Sequence, residues 1–204
     1  MEKDPYLIEN TNILKNKLNI TDKDELLRQE KIIVLKKLVQ LFLSPIKGEF
    51  DTNHLLYIHK FLFDEIYPFA GLFRETELSK NGDNFLELDF IKKSLEESLA
   101  DLNSRIKEVS SAGEYAFLLG DIYNSLIVIH PFREGNGRSI REFLREFVYA
   151  KNNDICFGQF ELDFTKMDKD NMLLGIKERY LYPSMIEMEF MKGLVTLKQN
   201  INTK

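Results

Sequence analysis

The stretch His130-Pro131-Phe132-Arg133-Glu134-Gly135-Asn136-Gly137-Arg138-Ser139-Ile140-Arg141 constrains this chain more than any other. It follows an apolar run ending Leu126-Ile127-Val128-Ile129 and precedes Ile140–Val148, which reads as an amphipathic helix. An imidazole, a carboxylate, an amide, two glycines and three guanidiniums thus sit between two helices. Gly135 and Gly137 let backbone N–H groups approach an anion closely. The positive end of the following helix faces the same spot. This combination predicts a phosphate cradle with an acid/base group beside it.

Each group also has a plainer reading. His130 can cap the C-terminus of the preceding helix, Gly-Asn-Gly can be a simple turn, and Arg138 with Glu142 can be a surface pair one helical turn apart. For the arginines the spacing decides. At about 100° per residue, Arg138, Arg141 and Arg145 fall in one narrow stripe. Ile140, Phe143, Leu144, Phe147 and Val148 fill the adjoining face, which must be core. An arginine stripe along the border of a buried face suits a binding wall.

At these residues the chain resembles the Fic family, whose signature HPFx[DE]GNGRxxR is present at every specified position of His130–Arg141. A second block, Ile58-His59 through Leu62-Phe63, Ile66-Tyr67, Phe69-Ala70-Gly71 and Arg74, is similar to the family pattern IHxxLFxxIYxWAGxxR, with Phe69 in place of tryptophan. The resemblance implies a mostly α fold, a Fic-type helical bundle with one β-hairpin flap. It implies a toxin-like protein adenylyltransferase that moves AMP from ATP, with Mg²⁺, onto a Ser, Thr or Tyr hydroxyl of a target protein. His130 would be the general base and Glu134 the metal ligand. Gly135, Asn136 and Gly137 would cradle the phosphates, and Arg138 and Arg141 would bind their β/γ end. Pro131 and Phe132 would be structural. Relatives that act as kinases or move UMP or phosphocholine mark an alternative, and a non-catalytic nucleotide-binding module is another. The chemistry is sound by itself: histidine titrates near neutrality, cations offset triphosphate charge, and in-line transfer needs mainly positioning and electrostatics.

Between the two blocks, Thr76–Lys80 and Asn84–Leu88 flank Asn81-Gly82-Asp83, and Asn-Gly favours a tight hairpin turn. By resemblance this is the flap whose edge pairs with target backbone, placing Leu78 and Lys80 beside the target. His59 reads as a hydrogen-bonded structural histidine.

Helices are expected from Thr21–Asp24, read as a capping box, to about Leu43 (core stripe Leu27, Val34, Leu38, Leu41), over Leu55–Ile66 capped by Asn53, and over Phe90–Val109, Glu114–Ile129, Met167–Lys177 and 183–200. A single Fic-like domain over 1–204 is expected, with its recognisable core at about 4–180. The net charge of −5 argues against nucleic-acid or anionic-membrane partners. Cys156 is the sole cysteine, and no apolar run suits a signal peptide or membrane span, so the expected compartment is the cytoplasm. Family members are commonly silenced by a glutamate in a helix patterned [ST]xxxE[GN], which pairs with the second motif arginine, here Arg141. Thr21/Glu25, Ser104/Glu108 and Ser110/Glu114 match only partly. The expectation is a chain without its own inhibitory glutamate, regulated by a small separate antitoxin-like protein; Glu25 is the weaker alternative.

Overall fold

Asp22 begins the first long helix by accepting a hydrogen bond from the Glu25 N–H at 2.8 Å, so the cap is one residue later than expected. The computed structural model describes residues 4–80, 82–179, 181–182 and 184–197. Helix α1 spans Lys23–Leu43 and α2 Thr52–Phe63, the latter capped by Asp51 rather than Asn53. Strands β1 (Ser79–Lys80) and β2 (Asp83–Asn84) form a hairpin, followed by helices α3 (Leu88–Arg105), α4 (Ala112–Ile129) and α5 (Asn136–Lys151). Strand β3 (Phe160–Leu162), a 3₁₀ turn, helices α6 (Lys169–Lys177) and α7 (Met185–Gly193), and strand β4 (Leu194–Thr196) complete the described chain. The fold is mostly α, as expected. Among the described residues no helix is long and apolar enough to cross a membrane.

The chain divides into two compact units, residues 1–97 with 126–143, and 98–125 with 144–204. In the first, α1 packs against α2. The buried stripe of α1 is Leu26, Glu30, Val34 and Leu41: Val34 and Leu41 stand as expected and Leu38 is half-buried, but Leu26 replaces Leu27, which is 42% exposed, and the stripe contains a charge. Leu55, Ile58, His59, Leu62 and Phe63 line the buried face of α2. Phe132 and Phe143 join them in a fully buried aromatic core.

The hairpin is shorter than expected. Ser79 pairs with Asn84 and Lys80 with Asp83, and the Phe85 N–H donates to the Leu78 carbonyl at 3.0 Å. Beyond that the ladder stops because its groups are engaged elsewhere. The Arg74 guanidinium donates to the Thr76 and Leu86 carbonyls, and the Leu86 N–H donates to the Val128 carbonyl. Gly82 turns the corner at φ +90°, a conformation glycine takes without steric cost. Asn81 and the side chain of Lys80 lie outside the described residues.

In the second unit β3 and β4 pair antiparallel, with Glu161 opposite Val195. This sheet was not expected; the segment assigned to a helix over 183–200 leaves helical geometry at Gly193. Its carbonyl accepts from the Asp163 N–H at 2.8 Å, and a Cβ there would lie 2.1 Å from Met167 Cε. A long-range pairing thus overrides local helix propensity. Pro183 and residues 198–200 lie outside the described residues. Asp121 on α4 is held by Arg105 at 2.8 Å and Arg179 at 2.6 Å.

Candidate active site

Helix α4 ends with the His130 N–H donating to the Leu126 carbonyl, and His130 then turns left-handed at φ +48°. Such a φ is uncommon outside glycine and needs support. Buried Arg74 supplies it: its Nε donates to the His130 carbonyl at 2.8 Å, and its backbone N–H donates to the Pro131 carbonyl at 2.8 Å. His130 Nδ1 lies 3.2 Å from the Ile127 carbonyl. A carbonyl only accepts, so Nδ1 carries a proton, and in the neutral ring Nε2 is the basic nitrogen. Phe85, from the end of the hairpin, stacks on the imidazole with centroids 3.7 Å apart.

The loop after His130 is fixed from inside. Buried Asn136 accepts from the Phe132 N–H at 2.8 Å and donates to the Phe132 carbonyl at 2.7 Å. Its amide therefore closes the loop on itself and shapes the backbone that lines the cavity. Gly135 sits at φ +84°, and a Cβ there would lie 2.4 Å from the Phe63 ring. The core, not only an approaching anion, demands this glycine. His59 is fully buried: Nδ1 accepts from the Gly71 N–H at 2.7 Å, Nε2 donates to the Glu134 carbonyl at 2.9 Å, and the ring stacks on Phe132 at 3.8 Å. Burial pushes its pKa down to about 4, so it stays neutral and structural, as the sequence suggested.

A cavity of about 430 Å³ opens on this loop, lined by His130, Glu134, Gly135–Arg138, Arg141, Arg133 and, from the flap side, Leu78, Ser79 and Phe85. It brings together His130, Glu134, Gly135, Asn136, Gly137, Arg138, Arg141 and Leu78 from the sequence reading. Arg145 is not among the lining residues. The N-terminus of α5 opens into the same space, adding backbone donors for an anion. Arg133 is held by Asp4 at 2.7 Å. Arg138 binds Glu134 at 3.0 Å and Glu30 of α1 at 2.5 Å, rather than Glu142. Arg141 forms no ion pair with a described residue. Glu25 pairs with Arg28 at 2.9 Å on the first turn of α1.

Glu134 Oε1 accepts from the Gly135 N–H at 2.9 Å and from Arg138. Among the described residues no three His, Cys, Asp or Glu groups converge as a metal cage. A cation in this cavity would rest on Glu134 and ligand oxygens, the donor set Mg²⁺ takes on a nucleotide phosphate.

Sequence reasoning did not single out Glu30, Tyr67 or Phe85 as part of the site. A charge in the apolar stripe Leu26-Glu30-Val34 was the one available sign of Glu30. For Phe85 only its place at the end of the hairpin pointed inward.

The profile of the Fic/DOC family matches residues 49–148, a span containing the whole cavity lining. The chain belongs to the Fic/DOC family. Among its relatives, the protein adenylyltransferase VbhT of Bartonella schoenbuchensis is 28% identical over 87% of this chain and 36% of that protein. The probable protein adenylyltransferase y4lH of Sinorhizobium fredii is 27% identical over 83% of this chain and 84% of that protein. This Fic/DOC chain therefore spans about a third of VbhT but most of y4lH. The crystal structure of BepC from Bartonella tribocorum, with bound AMPPNP, superimposes with a TM-score of 0.80 at 26% identity, covering 95% of this chain and 97% of that one.

Proposed function

We propose that this chain transfers AMP from ATP to a hydroxyl of a target protein. The observation that carries the reading is the His130 tautomer. Nδ1 is committed to the Ile127 carbonyl, so Nε2 can accept a proton in a cavity that also presents Glu134, Arg138 and Arg141. Simple anion binding would need no such base. Naming of relatives as adenylyltransferases and the AMPPNP of BepC support the nucleotide assignment.

In this reading the α5 N-terminus and the Gly135–Gly137 backbone bind the phosphates. Arg138 and Arg141 offset charge at the β/γ end, and Glu134 would hold Mg²⁺, which when bound would offset further phosphate charge. The target hydroxyl loses its proton to His130 Nε2 as its oxygen attacks the α-phosphorus. The bond from that phosphorus to the bridging oxygen breaks, and pyrophosphate departs. Serine, threonine or tyrosine can supply the hydroxyl. The flap holds the target by its backbone beside Leu78 and Lys80. A separate antitoxin-like protein that brings a carboxylate to Arg141 would block the γ-phosphate position.

The test is transfer of adenine-ring label from ATP onto proteins of a cell lysate. Label on protein, lost with chelator and with a His130 variant, is the expected result. Label that persists without divalent ions contradicts the role of Glu134.

A further inference from the structure

We propose that Glu30 on α1 is a positioning residue, which restrains Arg138 so that Glu134 keeps one carboxylate oxygen for a divalent cation. The inference rests on the nucleotide reading above and assigns a task to a residue outside both sequence motifs.

The geometry is a chain of three charges. Glu30 Oε1 lies 2.5 Å from one terminal nitrogen of Arg138, and the other nitrogen lies 3.0 Å from Glu134 Oε1. The guanidinium sits over the Phe63 ring, 4.7 Å from its centroid. The remaining oxygen of Glu30 accepts from the Tyr67 hydroxyl. Burial, and then the Glu30 bond, push the Tyr67 phenol pKa upward, so it stays a donor. Glu30 is 3% exposed and Tyr67 2%. Both oxygens of this buried carboxylate are thus committed.

Glu30 does not line the cavity, whereas Arg138 and Glu134 do. It cannot take the place of a bound phosphate. It acts on Arg138 from behind.

Its effect follows from guanidinium geometry. An arginine facing a carboxylate four residues earlier on the same segment tends to close into a two-pronged pair that uses both oxygens. Here one prong is taken by Glu30, so Arg138 reaches only Glu134 Oε1, which also accepts from the Gly135 N–H. Glu134 Oε2 has no hydrogen-bond partner among the described residues. With Glu30 neutralised, Arg138 can turn its second nitrogen to Glu134 and compete with the cation.

The test compares AMPPNP binding by calorimetry, in Mg²⁺ and in chelator, for the unaltered chain, Glu30→Gln and Tyr67→Phe. Glu30→Gln keeps the volume and drops the charge; Tyr67→Phe removes one hydroxyl and covers the case in which the first variant does not fold. The expected result is that Glu30→Gln reduces the Mg²⁺-dependent gain in affinity by about tenfold, the scale of residues that orient a metal ligand. Binding in chelator stays as in the unaltered chain. Tyr67→Phe moves the same quantity in the same direction by less. Equal loss with and without Mg²⁺, or no change, overturns the proposal while leaving the nucleotide reading intact. An unaltered chain that shows no Mg²⁺-dependent binding overturns the nucleotide reading and this proposal together.

Discussion

His130 combines an exceptional backbone with an ordinary side-chain task, and the two can be separated by substitution. Asparagine tolerates left-handed φ better than most residues, so His130→Asn should keep the loop while removing the proton acceptor. Transfer should fall by about 10²–10⁴, the typical contribution of a positioned acid/base group. AMPPNP affinity and the melting temperature should stay in place; a variant that unfolds would show that His130 is chiefly a helix cap. Gly135 makes the opposite case. Gly135→Ala meets both the φ of +84° and the Phe63 ring at 2.4 Å, which should destabilise the fold by about 2–4 kcal/mol in urea unfolding. At this scale the site was legible wherever chemistry restricts residue type: the imidazole, the carboxylate, the glycines and the arginines. Two things were not. The Asn136 amide turns inward to the Phe132 backbone, and Glu30 meets Arg138 across 108 positions of sequence. The second lies beyond any local window; the first spans only four residues, but residue type alone does not tell which way an amide turns.

Elements were legible to the extent that their stabilising contacts are local. The helices α1 to α6 carry apolar periodicity and were found within a few residues of their ends. Cap positions moved because Asp22, one residue after Thr21, and Asp51, two residues before Asn53, accept the first-turn N–H groups. The sheet of β3 and β4 joins residues more than thirty positions apart, and the alternation at Phe160-Glu161-Leu162 is too short to mark a strand by itself. The hairpin turn was visible in Asn-Gly, but its attachment was not, since that depends on Arg74 bonding the Thr76 and Leu86 carbonyls. The flap makes its own prediction. Leu78 lines the cavity and, among the described residues, forms no hydrogen bond to the loop after His130, so Leu78→Asp should lower target labelling much more than AMPPNP affinity. Equal loss of both, measured by labelling and calorimetry, would make the hairpin a support for the cavity and not a docking edge.

For the whole molecule, every residue lining the cavity lies within the unit of residues 1–97 and 126–143, and that unit's stability depends on a neutral His59. Its pKa is about 4 in the fold against about 6.5 in an unfolded chain. Between these values the unfolded chain binds the extra proton. The contribution is therefore complete above about pH 6.5 and is lost as pH falls toward 4, amounting to about 3 kcal/mol. His59→Gln should unfold more easily at pH 7 and show a flatter decline between pH 6.5 and 4; parallel curves for the two proteins would deny the burial of a neutral imidazole. The central claim is that the α-phosphorus of ATP is the atom attacked. It is tested most directly by incubating the chain and Mg²⁺ with lysate proteins in two parallel reactions, one with ATP labelled at the α-phosphate and one at the γ-phosphate. The account predicts label on protein from the α position only, with the γ label released in pyrophosphate. Label on protein from the γ position would contradict it and make the chain a kinase.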